Sequence, residues 1–162
     1  MKPKKHKEQS KNKVRQVTIS ALKNGTVIDH IPPSATFKVI ELLGLEKLHN
    51  EVSAAMNLAS KHMGKKGLVK IGEKFLSEEE VNKIAILAPK ATLNIIKNYA
   101  VVQKTKLEIP QYIERVIVCT NPGCITNHAT VTTKFHVVTK DPLVVRCNYC
   151  ERALREEEIR VI

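Results

Sequence analysis

Four cysteines in the last third of the chain have the chemistry and the spacing to hold a metal ion. Cys119 and Cys124 form one close pair, Cys147 and Cys150 form another, and the chain contains no other cysteine. Each pair can supply two thiolates from one turn, and the segment between the pairs can fold back to complete a tetrahedral Zn²⁺ site. Four protein ligands leave no open position for a catalytic water, so we expect one structural zinc per chain.

Two disulfides are the competing interpretation of the same cysteines. It is the weaker one, because a pair as close as Cys147 and Cys150 closes too small a loop to stabilise much of a fold. No secretory signal is recognisable at the start of the sequence, and no apolar run is long enough to span a membrane. We therefore expect a cytoplasmic protein with reduced thiols and no membrane partner.

The net charge of +11 suggests a nucleic-acid partner, but its distribution weakens that interpretation. Residues 1–13 contain six lysines and one glutamate, a composition typical of a solvated, disordered basic tail. Three tyrosines, three phenylalanines and no tryptophan provide little surface for base stacking. A zinc-ribbon nucleic-acid-binding protein remains the alternative, although nucleic acid is not the expected partner.

Candidate catalytic groups are few, and we expect a chain without catalytic residues. No cysteine is spare as a nucleophile, and the sequence has neither a Gly-rich phosphate loop nor a serine elbow. Asp29 and His30 pair an acid with an imidazole, but neighbours on a strand point to opposite faces. Local hydrogen bonds at a strand end are therefore expected of these two residues.

The elements that must position these groups follow from hydrophobic periodicity. Alternation over 14–22 predicts a strand, and a shorter apolar segment follows at 27–31 after a turn. A wide apolar stripe over 34–45 predicts a helix packed against a sheet. Segments 51–59 and 67–75 predict two strands joined by a polar hairpin loop.

A second helix begins at a capping box formed by Ser77 and Glu80 and ends at Pro89. The segments 91–97 and 99–104 then give a final strand region. The resulting β-α-β-β-α-β order predicts an α+β fold of the ferredoxin-like type, with two helices on one sheet face. A small β domain stabilised by the zinc ion is predicted to follow, with β-rich segments at 115–119, 129–139 and 143–147.

Polar side chains on the predicted sheet could bind a ligand. Lysines such as Lys70 and Lys104 can meet a phosphate chain as point charges, and Asn94 can contact a base edge. Asp29 and His30 follow a turn of the same sheet. Scattered polar residues on strands are more often a solvent face, so this pattern alone leaves both interpretations open.

Several segments resemble the regulatory chain of aspartate carbamoyltransferase, and the resemblance covers about residues 14–155. They are the GTVIDHIP run at 25–32, the segments 75–78, 88–92 and 98–99, and the cysteine neighbourhoods 118–121 and 146–151.

The resemblance implies a non-catalytic regulatory subunit in pyrimidine biosynthesis. It implies a division into a basic tail (1–13), an allosteric nucleotide-binding domain (14–106) and a zinc-ribbon-like domain that contacts the catalytic chain (107–162). The effectors would be ATP and CTP. The implied assembly contains regulatory-chain homodimers, three of which bridge two catalytic trimers in a hetero-dodecamer.

By position, the resemblance assigns zinc ligation to the four cysteines and nucleotide binding to residues of the first domain. Lys70 and Lys104 would neutralise triphosphate or ribose-side oxygens, and Asp29 would accept hydrogen bonds from the ribose hydroxyls. The full implied set of nucleotide contacts is Ile19, Leu22, Val27, Asp29, His30, Lys70, Asn94, Ile96, Tyr99, Val101 and Lys104.

Overall fold

A five-stranded antiparallel sheet forms the N-terminal part of the computed structural model, which describes residues 21–162. The strand order across the sheet is β2-β3-β1-β4-β5. The tail at 1–13 and most of the strand predicted at 14–22 lie outside the described residues. The strands are β1 (Gly25–Ile31), β2 (Val52–Ser60), β3 (Gly64–Gly72), β4 (Thr92–Lys97) and β5 (Ala100–Lys106).

Two helices, α1 (Thr36–Leu42) and α2 (Glu78–Leu87), pack on one face of this sheet. The apolar cluster between them includes Ile28 of β1, Val39 of α1 and Ile84 of α2, none of which is exposed to solvent. Because side chains alternate along a strand, Val27 and Asp29 point to the other face. No helix in residues 21–162 has the length and apolarity that a membrane crossing requires.

The first helix is shorter than predicted, whereas the second matches the prediction. Gly44 takes a left-handed conformation with φ 58°, which ends α1 and separates it from a short 3₁₀ turn at Leu45–Lys47. The predicted capping box begins α2: Glu80 N donates to Ser77 Oγ at 3.3 Å, and Ser77 N donates to Glu80 Oε2 at 2.8 Å. The helix ends at Leu87, before Pro89.

The hairpin between β2 and β3 is tighter than predicted. Its turn comprises only residues 61–63, and Gly64, with φ 68°, already begins β3. The strand therefore runs over Gly64–Gly72 rather than over 67–75. A two-residue turn of Asn98 and Tyr99, with φ 49° and 64°, joins β4 to β5.

The C-terminal module contains two small antiparallel sheets around its own apolar cluster, which includes Ile113, Ile117, Phe135, Val145 and Leu154. The segment 129–133, predicted as strand, forms none. The last two strands were not predicted, because elements of two or three residues show no readable periodicity. The sheets are β10-β9-β8-β6 and β11-β7, formed by β6 (Tyr112–Glu114), β7 (Ile117–Val118), β8 (Lys134–Lys140), β9 (Leu143–Cys147), β10 (Ala153–Arg155) and β11 (Arg160–Val161).

The two apolar clusters meet at α2 and at the segment that follows β5. Ile84 of α2 belongs to the first cluster, whereas Ile86 belongs to the second. Leu107 and Ile109 are divided between the clusters in the same way, so the chain crosses from one core to the other at Glu108. The described residues thus form a mixed α and β structure with antiparallel sheets and few helices, which confirms the predicted class at that level.

Candidate functional site

The four cysteine sulfurs converge in the C-terminal module, where all the Sγ atoms lie within 4.8 Å of one another. Cys119 Sγ lies 3.5 Å from Cys150 Sγ, and Cys124 Sγ lies 3.9 Å from Cys147 Sγ. A tetrahedral ion with Zn–S bonds of ~2.3 Å separates its sulfurs by roughly 3.8 Å, so the spacing fits. A disulfide requires sulfurs ~2.05 Å apart, and all four cysteines are free.

Hydrogen bonds hold the turn that carries the first pair of cysteines. The side-chain amide of Asn127 donates to the carbonyl oxygen of Cys119 at 2.9 Å and to that of Asn121 at 2.8 Å. Thr126 Oγ1 lies 3.2 Å from Cys124 Sγ and donates to it. These bonds help to orient both thiols toward the second pair.

The second pair lies on the turn that follows β9. Cys147 N donates to the carbonyl oxygen of Arg152, and Glu151 N donates to that of Cys147, both at 3.0 Å. Glu151 has φ 61°, which reverses the chain after Cys150. The turn therefore presents both thiols to the same point as the first pair.

The protonation of these thiols depends on burial and on local hydrogen-bond donors. Burial raises the pKa of Cys119 to about 12 and also raises the pKa of Cys147. Burial also opposes ionisation of Cys150, but hydrogen bonds from the Asn121 side chain and the Arg152 backbone outweigh it and lower that pKa to about 6. Four adjacent thiolates repel one another unless a cation neutralises them, so the set fits a structural metal, and four tetrahedral sulfurs are typical of Zn²⁺.

The register of the five-stranded sheet brings four of the predicted nucleotide contacts into one row. Val27 of β1 pairs with Lys70 of β3 and with Asn94 of β4, and Asn94 pairs with Lys104 of β5. Directly opposed residues of antiparallel strands point to the same face. These four side chains therefore lie side by side on the face away from the helices.

Other predicted contacts lie at one end of the same face. Leu22, Lys70 and Tyr99 line an open cleft of about 560 Å³. Tyr99 N donates to the carbonyl oxygen of Lys23 at 2.9 Å, which ties the entering chain to the β4–β5 turn. Ile96 pairs with Val101 in the row beside the cleft, and Ile19 lies outside the described residues.

Asp29 and His30 contact each other because β1 is bulged at this point. His30 has φ 60°, and the pairing with β3 shifts register between Ile28 and Ile31. Asp29 Oδ1 accepts a hydrogen bond from His30 N at 2.7 Å, and His30 Nδ1 lies 3.1 Å from Thr92 Oγ1. The expected local hydrogen bonds are confirmed, whereas the expected opposite orientation is wrong because His30 Nδ1 lies 3.3 Å from Asp29 Oδ2.

Lys66 is a residue of this site that the sequence analysis did not identify. Its Nζ lies 2.7 Å from Asp29 Oδ1 and 2.8 Å from Oδ2. Burial opposes ionisation of Asp29, but the hydrogen bond and the charge of Lys66 outweigh it and lower the pKa of that carboxyl. The sequence placed Lys66 in the hairpin loop, and only the early start of β3 at Gly64 brings it to Asp29.

The open face of the sheet thus offers three kinds of polar contact. Lys70 and Lys104 supply cations, Asn94 supplies an amide, and Asp29 supplies an ionised carboxylate. Cations suit phosphate oxygens, and a carboxylate suits hydroxyl donors. These groups have the chemistry to contact a phosphorylated, hydroxyl-bearing molecule.

Comparison with known proteins covers nearly the whole chain. Residues 17–108 match the family model of the aspartate carbamoyltransferase regulatory chain, allosteric domain, and residues 111–160 match that of its metal binding domain. The regulatory chain of Pyrococcus horikoshii is 60% identical over 146 residues, which cover 89% of this chain and 96% of that protein. The regulatory chain of Bacteroides fragilis is 46% identical over 153 residues, which cover 94% of this chain and 99% of that protein. With two matching domains and relatives this similar, the chain belongs to the family of aspartate carbamoyltransferase regulatory chains, which are non-catalytic subunits.

Proposed function

We propose that this regulatory chain binds ATP or CTP on the open face of its five-stranded sheet and thereby tunes the catalytic chain in pyrimidine biosynthesis. The observation that carries the proposal is the row of Lys70, Val27, Asn94 and Lys104, which the strand register brings together. The carboxylate of Asp29 lies two positions further along β1, beside this row. Family membership supplies the regulatory context in which such a site acts.

Residues in and beside the row have defined tasks in this proposal. Lys70 and Lys104 neutralise triphosphate or ribose-side oxygens, since ammonium groups meet phosphate as point charges. Asp29 accepts hydrogen bonds from the ribose hydroxyls, through carboxylate lone pairs that Lys66 does not use. Val27, Ile96 and Val101 supply apolar contacts, and Leu22 belongs to the segment that presents backbone groups to the base.

The nucleotide-binding domain in this proposal is ferredoxin-like, comprises residues 14–106, and precedes a zinc-ribbon-like domain over 107–162. The order β2-β3-β1-β4, with α1 following β1 and α2 following β3, supports the ferredoxin-like assignment. The added strand β5 extends the sheet beside β4.

The C-terminal module, which carries the four cysteines, holds the catalytic chain in this proposal. Zn²⁺ bound by Cys119, Cys124, Cys147 and Cys150 supplies rigidity and no reaction chemistry, because the ligand set is closed. We propose regulatory homodimers, three of which bridge two catalytic trimers, in the cytoplasm. The free thiols of the cluster support a reducing compartment.

Regulation follows from linkage between nucleotide and catalytic sites. A nucleotide that binds one quaternary state better than the other shifts the equilibrium by its difference in affinity. Typical couplings of about 1–3 kcal/mol correspond to roughly 5- to 150-fold changes in affinity. The site on the sheet therefore needs only a modest preference between the two states.

Titration of CTP and ATP into the purified chain, by calorimetry, tests the site. We expect Lys104→Ala to weaken binding by about tenfold or more, because it removes a charge-assisted contact with phosphate. Lys83→Ala, on α2 and across the sheet, is the matched control and should leave the affinity unchanged. An unaltered affinity in Lys104→Ala would overturn the site, and retention on RNA that falls steeply with salt would favour the nucleic-acid alternative.

A further inference from the structure

A cleft of about 920 Å³ lies between the two modules, on the helix side of the sheet. Its floor is apolar: Ile86 of α2, Leu107 and Ile109 of the connecting segment, and Leu143 of β9 are each at most 6% exposed. The proposed nucleotide face is on the other side of the sheet. The cleft therefore belongs neither to that site nor to the cysteine cluster.

The two walls of the cleft carry opposite charge. The N-terminal module contributes Lys38 of α1 and Lys90, which follows α2. The C-terminal module contributes Asp141 between β8 and β9, and Glu156 and Glu157 in a short 3₁₀ turn. The remaining charged lining residues are Glu108, at the crossing point, and Lys140, which reduces the acidic excess of its wall without cancelling it.

In the described part of the chain, the lysines and glutamates that line this cleft are not paired with one another. Within residues 21–162, neither Lys38 nor Lys90 lies at ion-pair distance from a carboxylate, and Glu156 and Glu157 have no cationic partner. Other lysines of the chain do reach carboxylates, as the 2.8 Å contact between Lys134 Nζ and Glu114 Oε1 demonstrates. All four of these cleft side chains are exposed to solvent, so water and salt screen the attraction between them.

The connection between the modules is a short segment of the kind that can act as a hinge. The chain crosses from one core to the other within three residues, Leu107 to Ile109, and hinges are commonly a few such connecting positions. Ile86 is the member of α2 that packs in the second core, so it lies at the pivot. Rotation about this point changes the distance between the charged walls.

We propose that the cleft closes as an electrostatic latch, in which Lys38 and Lys90 form ion pairs with Glu156 and Glu157. Closure rotates the C-terminal module toward α1 and α2. The angle between this module and the five-stranded sheet therefore changes. The closed form uses only charges of this chain and requires no nucleotide. Its existence can therefore be tested independently of the proposed nucleotide site.

Zero-length coupling of the metal-loaded full chain with a carbodiimide, followed by peptide mass spectrometry, tests the latch. This reagent joins an amine to a carboxylate only when the two are in contact. We expect cross-links from Lys38 or Lys90 to Glu156 or Glu157, and at least a tenfold lower yield in about 1 M salt, where the Debye length falls to about 3 Å. Mixing ¹⁴N- and ¹⁵N-labelled chains identifies any link formed between copies.

Charge reversal supplies the matched variants. The double change Glu156→Lys/Glu157→Lys should abolish these links, and adding Lys38→Glu/Lys90→Glu should restore them with the polarity exchanged. Lys47→Glu/Lys106→Glu alters the net charge by the same amount as Lys38→Glu/Lys90→Glu, away from the cleft, and should retain the links. The latch is overturned if the wild-type chain yields only links within a module, such as Lys134–Glu114 and Lys66–Asp29, or if all links between the modules join two copies.

Discussion

Gly25 permits the first strand to begin beside β3. Its φ is 135°, and a Cβ at this position would overlap the carbonyl oxygen of Ile71. Gly25→Ala should therefore lower the free energy of unfolding by about 3 kcal/mol or more, since backbone strain and a steric clash combine. Urea unfolding followed by circular dichroism measures this loss.

Gly44→Ala is the control for that change. Gly44 also has a positive φ, 58°, but a Cβ there would have nothing within 4 Å. Its loss should be about 1 kcal/mol, the ordinary cost of a left-handed alanine. Equal losses in both variants would contradict the steric explanation for Gly25.

Sequence reasoning predicts individual residues well where chemistry dictates spacing and poorly where the backbone departs from ideal geometry. The four cysteines are recognisable because a tetrahedral ion requires two close pairs, and the structure brings their sulfurs together. The contact of Asp29 with His30 depends on a bulge, and that of Lys66 with Asp29 depends on where β3 begins. Neither feature has a signal in residue type alone.

At the scale of elements, α2 depends on its capping box, and we expect that contribution to vary with pH. Burial opposes ionisation of Glu80, but hydrogen bonds from Lys74 and the Ser77 backbone outweigh it and lower the pKa of that carboxyl below its ordinary value of 4.5. A carboxyl whose pKa is lowered by folding stabilises the folded state at pH values above its pKa in the unfolded chain. This stabilisation is lost as the pH falls through its pKa in the folded chain. Glu80→Gln should therefore destabilise the chain near neutral pH and differ less from wild type in acid.

Thermal unfolding at a series of pH values checks this expectation. Glu78→Gln removes a carboxylate from the same first turn without touching the capping box, so it serves as the control. If the stability difference between Glu80→Gln and wild type is as large below pH 4.5 as it is at neutral pH, the ionised capping box does not have the proposed role.

The elements that sequence predicts best have a strong local signal at each end. Helix α2 has Ser77 at its start and Pro89 beyond its end, so both boundaries are predicted. Helix α1 ends early because Gly44 adopts a left-handed conformation inside an apolar stripe that would otherwise continue. The short strands β10 and β11 depend on pairing with distant partners, β9 and β7, which local periodicity does not reveal.

For the whole molecule, the separation into two cores predicts separate stabilities. We expect the small C-terminal module to depend on a bound metal, since zinc-finger peptides bind Zn²⁺ with an apparent ~10–16 kcal/mol at neutral pH. Chelation, or Cys147→Ser, should therefore remove hydrogen-exchange protection from 111–162 and leave it largely intact over 25–106. Hydrogen-exchange mass spectrometry, with metal analysis of the same sample, measures both.

The same loss of metal should release the catalytic chain from the proposed complex, and the released catalytic chain should keep its activity. Size-exclusion chromatography with an activity assay distinguishes the free catalytic chain from the assembly. Metal analysis establishes whether the zinc is gone. If the zinc is gone and the complex is still whole, the C-terminal module does not need its metal to hold the catalytic chain, and the proposed role is refuted.

The division of α2 between two cores limits how the gene for this chain can change length. Ile84 and Ala85 pack in one core and Ile86 in the other, so three consecutive positions serve both modules. Deleting or inserting one codon within the helix would rotate every later side chain by about 100° and direct each toward the wrong core. Length variation among relatives should therefore be absent from this helix and concentrated in exposed turns such as 61–63.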